Sequence, residues 1–152
     1  MPVNNSARVC KLSGEECIAQ VEMGLELLKA ADNFIRMAQG IRAISADSTS
    51  LVCELVVEPS HLNIGGTLHG GLSAALVDII ASLAIGITAG MMRPRATIDL
   101  STSYLLPANA GDKIIMTATV LQVGHSTAFA EVEFRKKDGK IAVKGKQTMA
   151  IL

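Results

Sequence analysis

The sequence of 152 residues is poor in aromatic side chains and has no excess of charge. It contains no tryptophan, one tyrosine and three phenylalanines, while hydrophobic residues of all kinds make up 49%. The core must therefore consist mainly of aliphatic side chains, and the length suits one domain. Fourteen basic residues are balanced by fourteen acidic residues, which argues against a nucleic-acid-binding protein that neutralises phosphates.

Cysteines are also too few for a disulfide framework. The three cysteines, Cys10, Cys17 and Cys53, are an odd number and form no CxxC pair, so we expect no zinc site, no metal and a reducing intracellular compartment. The sequence lacks the GxSxG, P-loop, GxGxxG and HExxH motifs, which argues against the hydrolase, nucleotide-binding and metalloprotease chemistries that use them. No cofactor is expected.

The first residues lack the apolar run of a secretory signal. Arg8 and Lys11 precede the first acidic residue, Glu15, a feature shared with mitochondrial transit segments, although a flexible terminus is the simpler interpretation. We therefore expect a flexible segment at residues 1–14 followed by one domain at residues 15–152. The expected location is the cytoplasm, with the mitochondrion as the alternative.

The segment 72–92 has the length and hydropathy of a membrane span. Its single charge is Asp78, and a carboxylate near the centre of a bilayer helix costs about 3 kcal/mol. Gly90, at the end of a GxxxG motif that begins at Gly86, is well placed to end a helix ahead of Pro94. The segment is therefore predicted to be the buried helix of a globular core, and no membrane span is expected.

Local patterns define the remaining elements. Ser13 to Glu16 fits a capping box that begins a helix at residues 14–31. Alternating and turn-bounded segments predict six strands, at residues 40–47, 50–58, 96–104, 113–123, 126–136 and 140–151. Strict alternation in the third strand would place Thr97 and Tyr104 on opposite faces. A sheet with one face to bury and an enclosed helix at residues 68–89 predict an α+β domain, with an antiparallel sheet wrapped around that helix.

Two glycines, Gly70 and Gly71, stand where the long helix is expected to begin. The first N–H groups of a helix have no internal partner and lie at the positive end of its dipole. Glycine lets a ligand approach this backbone closely, so the helix start is a candidate site for a carbonyl oxygen or an oxyanion. The amide of Asn63, just upstream, has N–H groups for the same oxygen, although a turn-forming role for Asn63 is equally compatible.

Asp78 is the candidate catalytic carboxylate. It follows Gly70 by eight residues, which is about 12 Å of helix rise, so both groups cannot act on the same atom within one chain. A two-fold dimer with antiparallel helices would bring Gly70 of one chain close to Asp78 of the other. The alternative is a structural carboxylate satisfied inside the core. His69 at the helix start, and Thr97, Ser101 and Tyr104 on a strand, also have ordinary structural interpretations.

These motifs carry a family resemblance. The run from Asn63 through Gly66, Thr67, Leu68, His69, Gly70 and Gly71, followed by Asp78, resembles the hotdog-fold acyl-CoA thioesterases of the phenylacetate-pathway and 4-hydroxybenzoyl-CoA type. The resemblance covers roughly residues 15–150. It implies a hotdog fold with an additional N-terminal helix, a homodimer with shared active sites, and dimers that pair as a homotetramer.

The resemblance also implies roles for individual residues. Asn63 and the Gly70 N–H would polarise the thioester carbonyl, and Asp78 of the other subunit would act as base or nucleophile. Thr97 would hold the attacking water, His69 would support the site, and Gln147 stands where a mammalian member has a histidine. Residues at positions that bind the CoA part in the family are Gly71, Tyr104, Pro107, Asn109, Gly124, His125 and Lys140.

The function implied is hydrolysis of acyl-CoA, with medium- to long-chain fatty acyl groups favoured and with Leu72, Ile79 and Leu83 near the acyl chain. Two alternatives are open. One is a hotdog enoyl-CoA hydratase or dehydratase that uses His69 and Asp78. The other is a non-catalytic acyl-CoA-binding or sensor protein, for which the nine basic and five acidic groups of residues 91–152 would face the anionic ligand.

Overall fold

An antiparallel sheet of six strands curves around one long helix in the computed structural model, which describes residues 12–152. The sheet order is β1-β2-β4-β5-β6-β3. The strands are β1 Arg42–Ala46, β2 Ser50–Val56, β3 Arg95–Tyr104, β4 Lys113–Val123, β5 Thr127–Arg135 and β6 Ile141–Ile151, and the helices are α1 Gly14–Ala30 and α2 Gly70–Ala89. Two short 3₁₀ segments, Phe34–Ala38 and Pro59–His61, were not predicted. The predicted fold class and order of the main elements are confirmed.

The helix α1 begins with the capping box that the sequence indicated. The Ser13 backbone N–H donates to Glu16 Oε2 at 2.8 Å, and the Glu16 backbone N–H donates to Ser13 Oγ at 3.3 Å. The helix buries Cys17, Val21 and Leu25. Ser13 and Gly14 thus belong to the start of α1, while most of the segment predicted to be flexible, residues 1–11, lies outside the described residues.

The helix α2 forms the centre of the core. In the described part of the chain it is the one helix long and apolar enough to cross a membrane, but 72% of its most apolar window is buried inside the protein. The side chains that the sheet covers are aliphatic, as the composition required. The prediction of a buried core helix is therefore confirmed.

The GxxxG motif has a local explanation at the end of α2. Gly90 adopts a φ of 100°, which favours glycine, and ends the helix. The Arg95 guanidinium donates to the carbonyl oxygens of Gly90 and Met91 at 3.3 and 3.2 Å. A β-carbon at Gly86 would lie 2.6 Å from Arg95 Nη2. Gly86 therefore makes room for a cationic cap on the negative end of the helix dipole, while Gly90 supplies the backbone conformation that ends the helix.

The predicted alternation of β3 was wrong at one point. Thr97 pairs with Met149 and Leu100 pairs with Gln147, so the register shifts between Thr97 and Asp99. Directly opposite residues of an antiparallel pair share a face, and the extra residue of this bulge brings Thr97 onto the face of Leu100. The bulge directs Thr97 toward α2 instead of away from it.

The outer face of the sheet carries part of the basic charge of the C-terminal half. Lys144 and Lys146 lie opposite Glu133 and Glu131 on the neighbouring strand, with N–O distances of 3.3 and 3.6 Å. These pairs are partly exposed and contribute little to stability. The two lysines thus belong to a solvated sheet face.

Gly145 of β6 packs tightly against α2, and this contact gives a test of the packing. A β-carbon at Gly145 would lie 2.5 Å from Val77 Cγ1, so Gly145→Ala should lower the free energy of unfolding by about 1–3 kcal/mol. Urea denaturation measures this change. Lys146→Ala, on the outward face of the same strand, is the control and should change it by less than about 0.5 kcal/mol. An unchanged denaturation midpoint for Gly145→Ala would contradict this account of the packing.

Candidate active site

The start of α2 is organised by His69, which is the N-cap residue. His69 Nδ1 accepts a hydrogen bond from the Gly71 backbone N–H at 2.9 Å. This contact satisfies one of the unpaired N–H groups of the first turn. Gly71 is therefore engaged inside the chain, whereas Gly70, the first residue of the helix, lies beside the adjacent cavity.

Asn63 shapes the loop that leads to this helix. Its Oδ1 accepts hydrogen bonds from the backbone N–H groups of Gly65 and Thr67, at 2.9 and 3.2 Å, and its Nδ2 donates to Thr67 Oγ1 at 3.0 Å. The loop turns at Gly66, where φ is 78°. The turn-forming role of Asn63 is thus present. Because an amide carries two N–H donors, one remains for a ligand.

A cavity of about 310 Å³ opens between the start of α2 and the end of β3. Tyr104 lies against Gly70, and its hydroxyl donates to the Gly70 carbonyl oxygen at 3.0 Å. The polar lining includes Asn63, Thr67 and Ser73. The remaining lining residues are Leu68, Leu105, Leu106, Pro107, Ala108, Ile114, Phe134, Ala142 and Val143. The site therefore combines N–H donors with an apolar compartment, as small-molecule sites commonly do.

The predicted acyl-lining residues do not surround this cavity. Leu72, Ile79 and Leu83 are buried in the main core, each less than 10% exposed. The apolar lining comes instead from the loop after β3 and from the strands β4, β5 and β6. Apart from Pro107, which the resemblance assigned to the CoA part, these residues were not predicted, because they come together only through the sheet topology.

Asp78 belongs to a second cluster of polar side chains. It is half-buried, and its Oδ1 accepts a hydrogen bond from Thr97 Oγ1 at 2.6 Å. Gln147 Nε2 donates to the same Oδ1 and also to Thr97 Oγ1, the latter at 2.9 Å. Within residues 12–152, Asp78 forms no ion pair. The carboxylate is thus held by neutral donors at the edge of the core.

The association of Thr97 with Asp78 was implied by the family resemblance, whereas that of Gln147 was not predicted. Gln147 is 2% exposed and lies on the inward face of β6, between buried residues at 145 and 149. A glutamine at an inward position of an otherwise apolar strand face is the signal that could have drawn attention to it.

The two clusters are separated within one chain, as their spacing predicted. Asp78 follows Gly70 by eight positions in α2, which is about 12 Å of rise, and Asp78 does not line the cavity beside Gly70. His69 is farther from Asp78 by one more residue. The spacing therefore does not support a pairing of His69 with Asp78 in one chain.

The predicted CoA-contacting residues lie at opposite ends of the sheet. At one end, Pro107 lines the cavity, and Asn109 forms a bridge to Thr67. Lys140 is also at this end, exposed and 3.3 Å from Asp138 Oδ2.

The loop that contains Gly124 and His125 is at the other end, where β5 begins. The Arg93 guanidinium, from the segment after α2, donates to the His125 carbonyl oxygen at 3.4 Å. This group lies toward the Asp78 end of the helix. A single chain therefore does not bring all the predicted residues together.

Comparisons with known proteins agree with this architecture. Residues 65–143 match the thioesterase superfamily model. A putative esterase of Caenorhabditis elegans is 42% identical over 95% of this chain and 85% of its own. Acyl-coenzyme A thioesterase 13 of Homo sapiens is 39% identical over 81% of this chain and 90% of its own. The crystal structure of zebra fish thioesterase superfamily member 2 has a TM-score of 0.84 at 34% identity, covering 89% of this chain and 98% of that one.

A sheet wrapped around a central helix, with a glycine pair at the helix start and a carboxylate two turns later, defines a hotdog-fold enzyme domain. The chain belongs to the thioesterase superfamily. The resemblance drawn from the motif around Gly70 and Asp78 is thereby confirmed.

Proposed function

We propose that this protein hydrolyses acyl-CoA thioesters to the free acid and CoA. One observation carries the proposal. In this chain of the thioesterase superfamily, α2 begins at Gly70 beside an apolar cavity, and the same helix carries the Asp78 carboxylate, which accepts hydrogen bonds from two donors. The names of the relatives add the substrate class, since the human relative is an acyl-coenzyme A thioesterase.

The carbonyl oxygen of the thioester binds at the start of α2. The Gly70 N–H and the second N–H of Asn63 donate to it, and the helix dipole favours the negative charge that develops there. His69 maintains the first turn through its contact with Gly71. Removing one donor of this kind typically costs about 10²–10³ in rate.

Asp78 supplies the other half of the reaction. Both of its hydrogen bonds go to Oδ1, and the described residues make none to Oδ2. As a base, Oδ2 takes a proton from the water that attacks the carbonyl carbon. As a nucleophile, it attacks the carbon itself and water then hydrolyses the anhydride. In both routes the carbon–sulfur bond breaks, and the sulfur leaves with a proton as the CoA thiol.

A dimer completes the site. The strand β3 is at the edge of the sheet, so one side of its backbone has no strand neighbour in the described chain. Exposed apolar side chains, Ile98 at 60% and Tyr104 at 57%, lie on this strand. Pairing of two such edges around a two-fold axis would place Asp78 of the partner subunit opposite Gly70. Exposed Leu121 and Phe129, on β4 and β5, provide an apolar area through which dimers would pair as tetramers.

Replacing Asp78 tests the chemistry. Wild-type protein should release thiol from acyl-CoA, and Asp78→Asn should lower kcat/KM by about 10² or more while retaining its fold, because the amide is not basic. Thiol release is followed with a chromogenic disulfide, and circular dichroism checks the fold. Asp32→Asn, at a position after α1 where the side chain is 98% exposed, is a control that should retain activity. Acyl-CoA binding without thiol release would identify a binding or sensor protein, and turnover of enoyl-CoA without thiol release would identify a hydratase.

Mixed dimers test whether the site is shared. Asn63→Asp keeps the oxygen that accepts from Gly65 and Thr67 but removes the donor to the carbonyl. When Asn63→Asp and Asp78→Asn chains are unfolded together and refolded, half of the dimers should be mixed, each with one intact site. About a quarter of the wild-type activity should return. No recovery above either variant alone would show that each chain acts by itself.

The cavity suggests the choice of acyl chain. Its inner lining is aliphatic, apart from Phe134, so fatty acyl groups of medium to long chain should give the highest kcat/KM. A series of acyl-CoAs of increasing chain length measures this preference. Turnover confined to short or aromatic acyl groups would contradict it. Phe134→Ala should shift the preference toward longer chains.

We further propose an intracellular location, in the cytoplasm or the mitochondrion. Cys53 is buried, and burial raises the pKa of its thiol to about 12, which keeps it protonated and unreactive. Such a thiol suits a reducing compartment. Subcellular fractionation with antibodies to the protein distinguishes the two locations.

A further inference from the structure

Gln147 is a buried amide in an apolar environment. It is 2% exposed and lies opposite Leu100 of β3 and Ala130 of β5. Its Nε2 donates to Asp78 Oδ1 and to Thr97 Oγ1. The amide therefore forms the buried side of the polar cluster, while Asp78 and Thr97 form its more accessible side.

The amide oxygen, Oε1, has no hydrogen-bond partner among residues 12–152. Gln147 Oε1 is buried and is the one such side-chain atom without a hydrogen bond in the described part of the chain. A buried acceptor without a partner lowers stability. An aliphatic side chain or a methionine would fill the same position without that cost. The stability of the fold alone therefore does not account for a glutamine here.

The orientation of the amide suits an ionised carboxylate. A carboxylate only accepts hydrogen bonds, so Nε2 must face it, and Oε1 is then directed away toward apolar neighbours. With Thr97 Oγ1, two donors converge on Oδ1. Rotation of the carboxylate about χ2 would break both contacts, so Oδ2 keeps one direction.

We propose that Gln147 is a positioning residue for the reaction. By donating a hydrogen bond to Oδ1 of Asp78, it fixes the orientation of the carboxylate. Oδ2 then faces the site in the partner subunit where the acyl carbon binds. The inference rests on the proposed thioesterase function and assigns a further residue to it. Gln147 does not touch the substrate. Its effect is exerted through the direction of Asp78.

The first test is Gln147→Met, which keeps the length of the side chain and removes both polar atoms. We expect kcat to fall about 10- to 100-fold, the loss typical of a hydrogen bond to a charged group, with KM changed less than about twofold. The urea midpoint should change little, because removal of the unpartnered Oε1 offsets the loss of the donor to the Asp78 carboxylate. Gln20→Met, on α1, is the matched control and should keep wild-type values of all three quantities.

A purely structural role predicts the opposite pattern. A lower midpoint with an unchanged kcat would overturn the proposal, and so would an unchanged kcat at an unchanged midpoint. Gln147→Leu serves the same purpose if the methionine variant does not fold. Gln147→His retains an N–H donor and should therefore recover part of the kcat lost in the methionine variant. An equal loss of kcat in the histidine and methionine variants would also count against a donor role.

Mixed dimers provide the second test, because Gln147 and Asp78 serve the same half of the shared site. Gln147→Met refolded with Asn63→Asp should recover about a quarter of wild-type activity, whereas Gln147→Met refolded with Asp78→Asn should recover none. Recovery with Asp78→Asn would place Gln147 in the other half and overturn the proposal. Failure of the thioesterase function itself is separate, since wild-type protein would then release no thiol.

Discussion

The rest of the structure depends on the enclosure of α2 by the sheet. The helix is apolar on nearly every side, so its stability in water requires that the curved sheet cover it. The contact at Gly145 sets how closely the sheet can approach. Because the sheet holds the helix in one position, the groups along the helix also keep their positions relative to one another. The glycine start and Asp78 are therefore held at a constant separation.

This separation determines how the chemistry is organised. In the proposed mechanism, the donors near Gly70 and the carboxylate at Asp78 act together, and one straight helix cannot bring them to the same atom. The proposed dimer would use the edge strand β3 as the surface through which a second chain supplies the other group. The same strand carries the bulge that turns Thr97 toward Asp78. The proposed assembly and the orientation of the carboxylate thus depend on one strand.

Much of the fold could be predicted because local signals are strong. The capping box at Ser13 and the turn at Gly139, where φ is 81°, lie where the sequence indicated. Most strand boundaries agree within one or two residues because turn residues limit each strand. The bulge in β3 could not be predicted, since an extra residue in an alternating segment becomes visible only in the register with β6.

The site was predictable to a different extent. The motif around Gly70 and Asp78 is continuous in sequence, so its residues could be named, and their spacing indicated that one chain is not sufficient. The partners of Asp78 are 19 and 69 residues away, and the cavity is lined from five separate segments. Gln147 was missed as a partner because its role depends on contacts across β6, the bulge and α2 together.

The position of Tyr104 has a consequence for how such enzymes diversify. Its hydroxyl attaches the end of β3 to the first turn of α2, so the compartment beside it can be remodelled while the helix start remains in place. The apolar lining lies on the loop after β3 and on β4, β5 and β6, away from the Asp78 cluster. In the proposed site, the apolar residues that would select the acyl group thus lie apart from the Asp78 cluster, so a substitution in the lining can leave the contacts of the carboxylate unchanged.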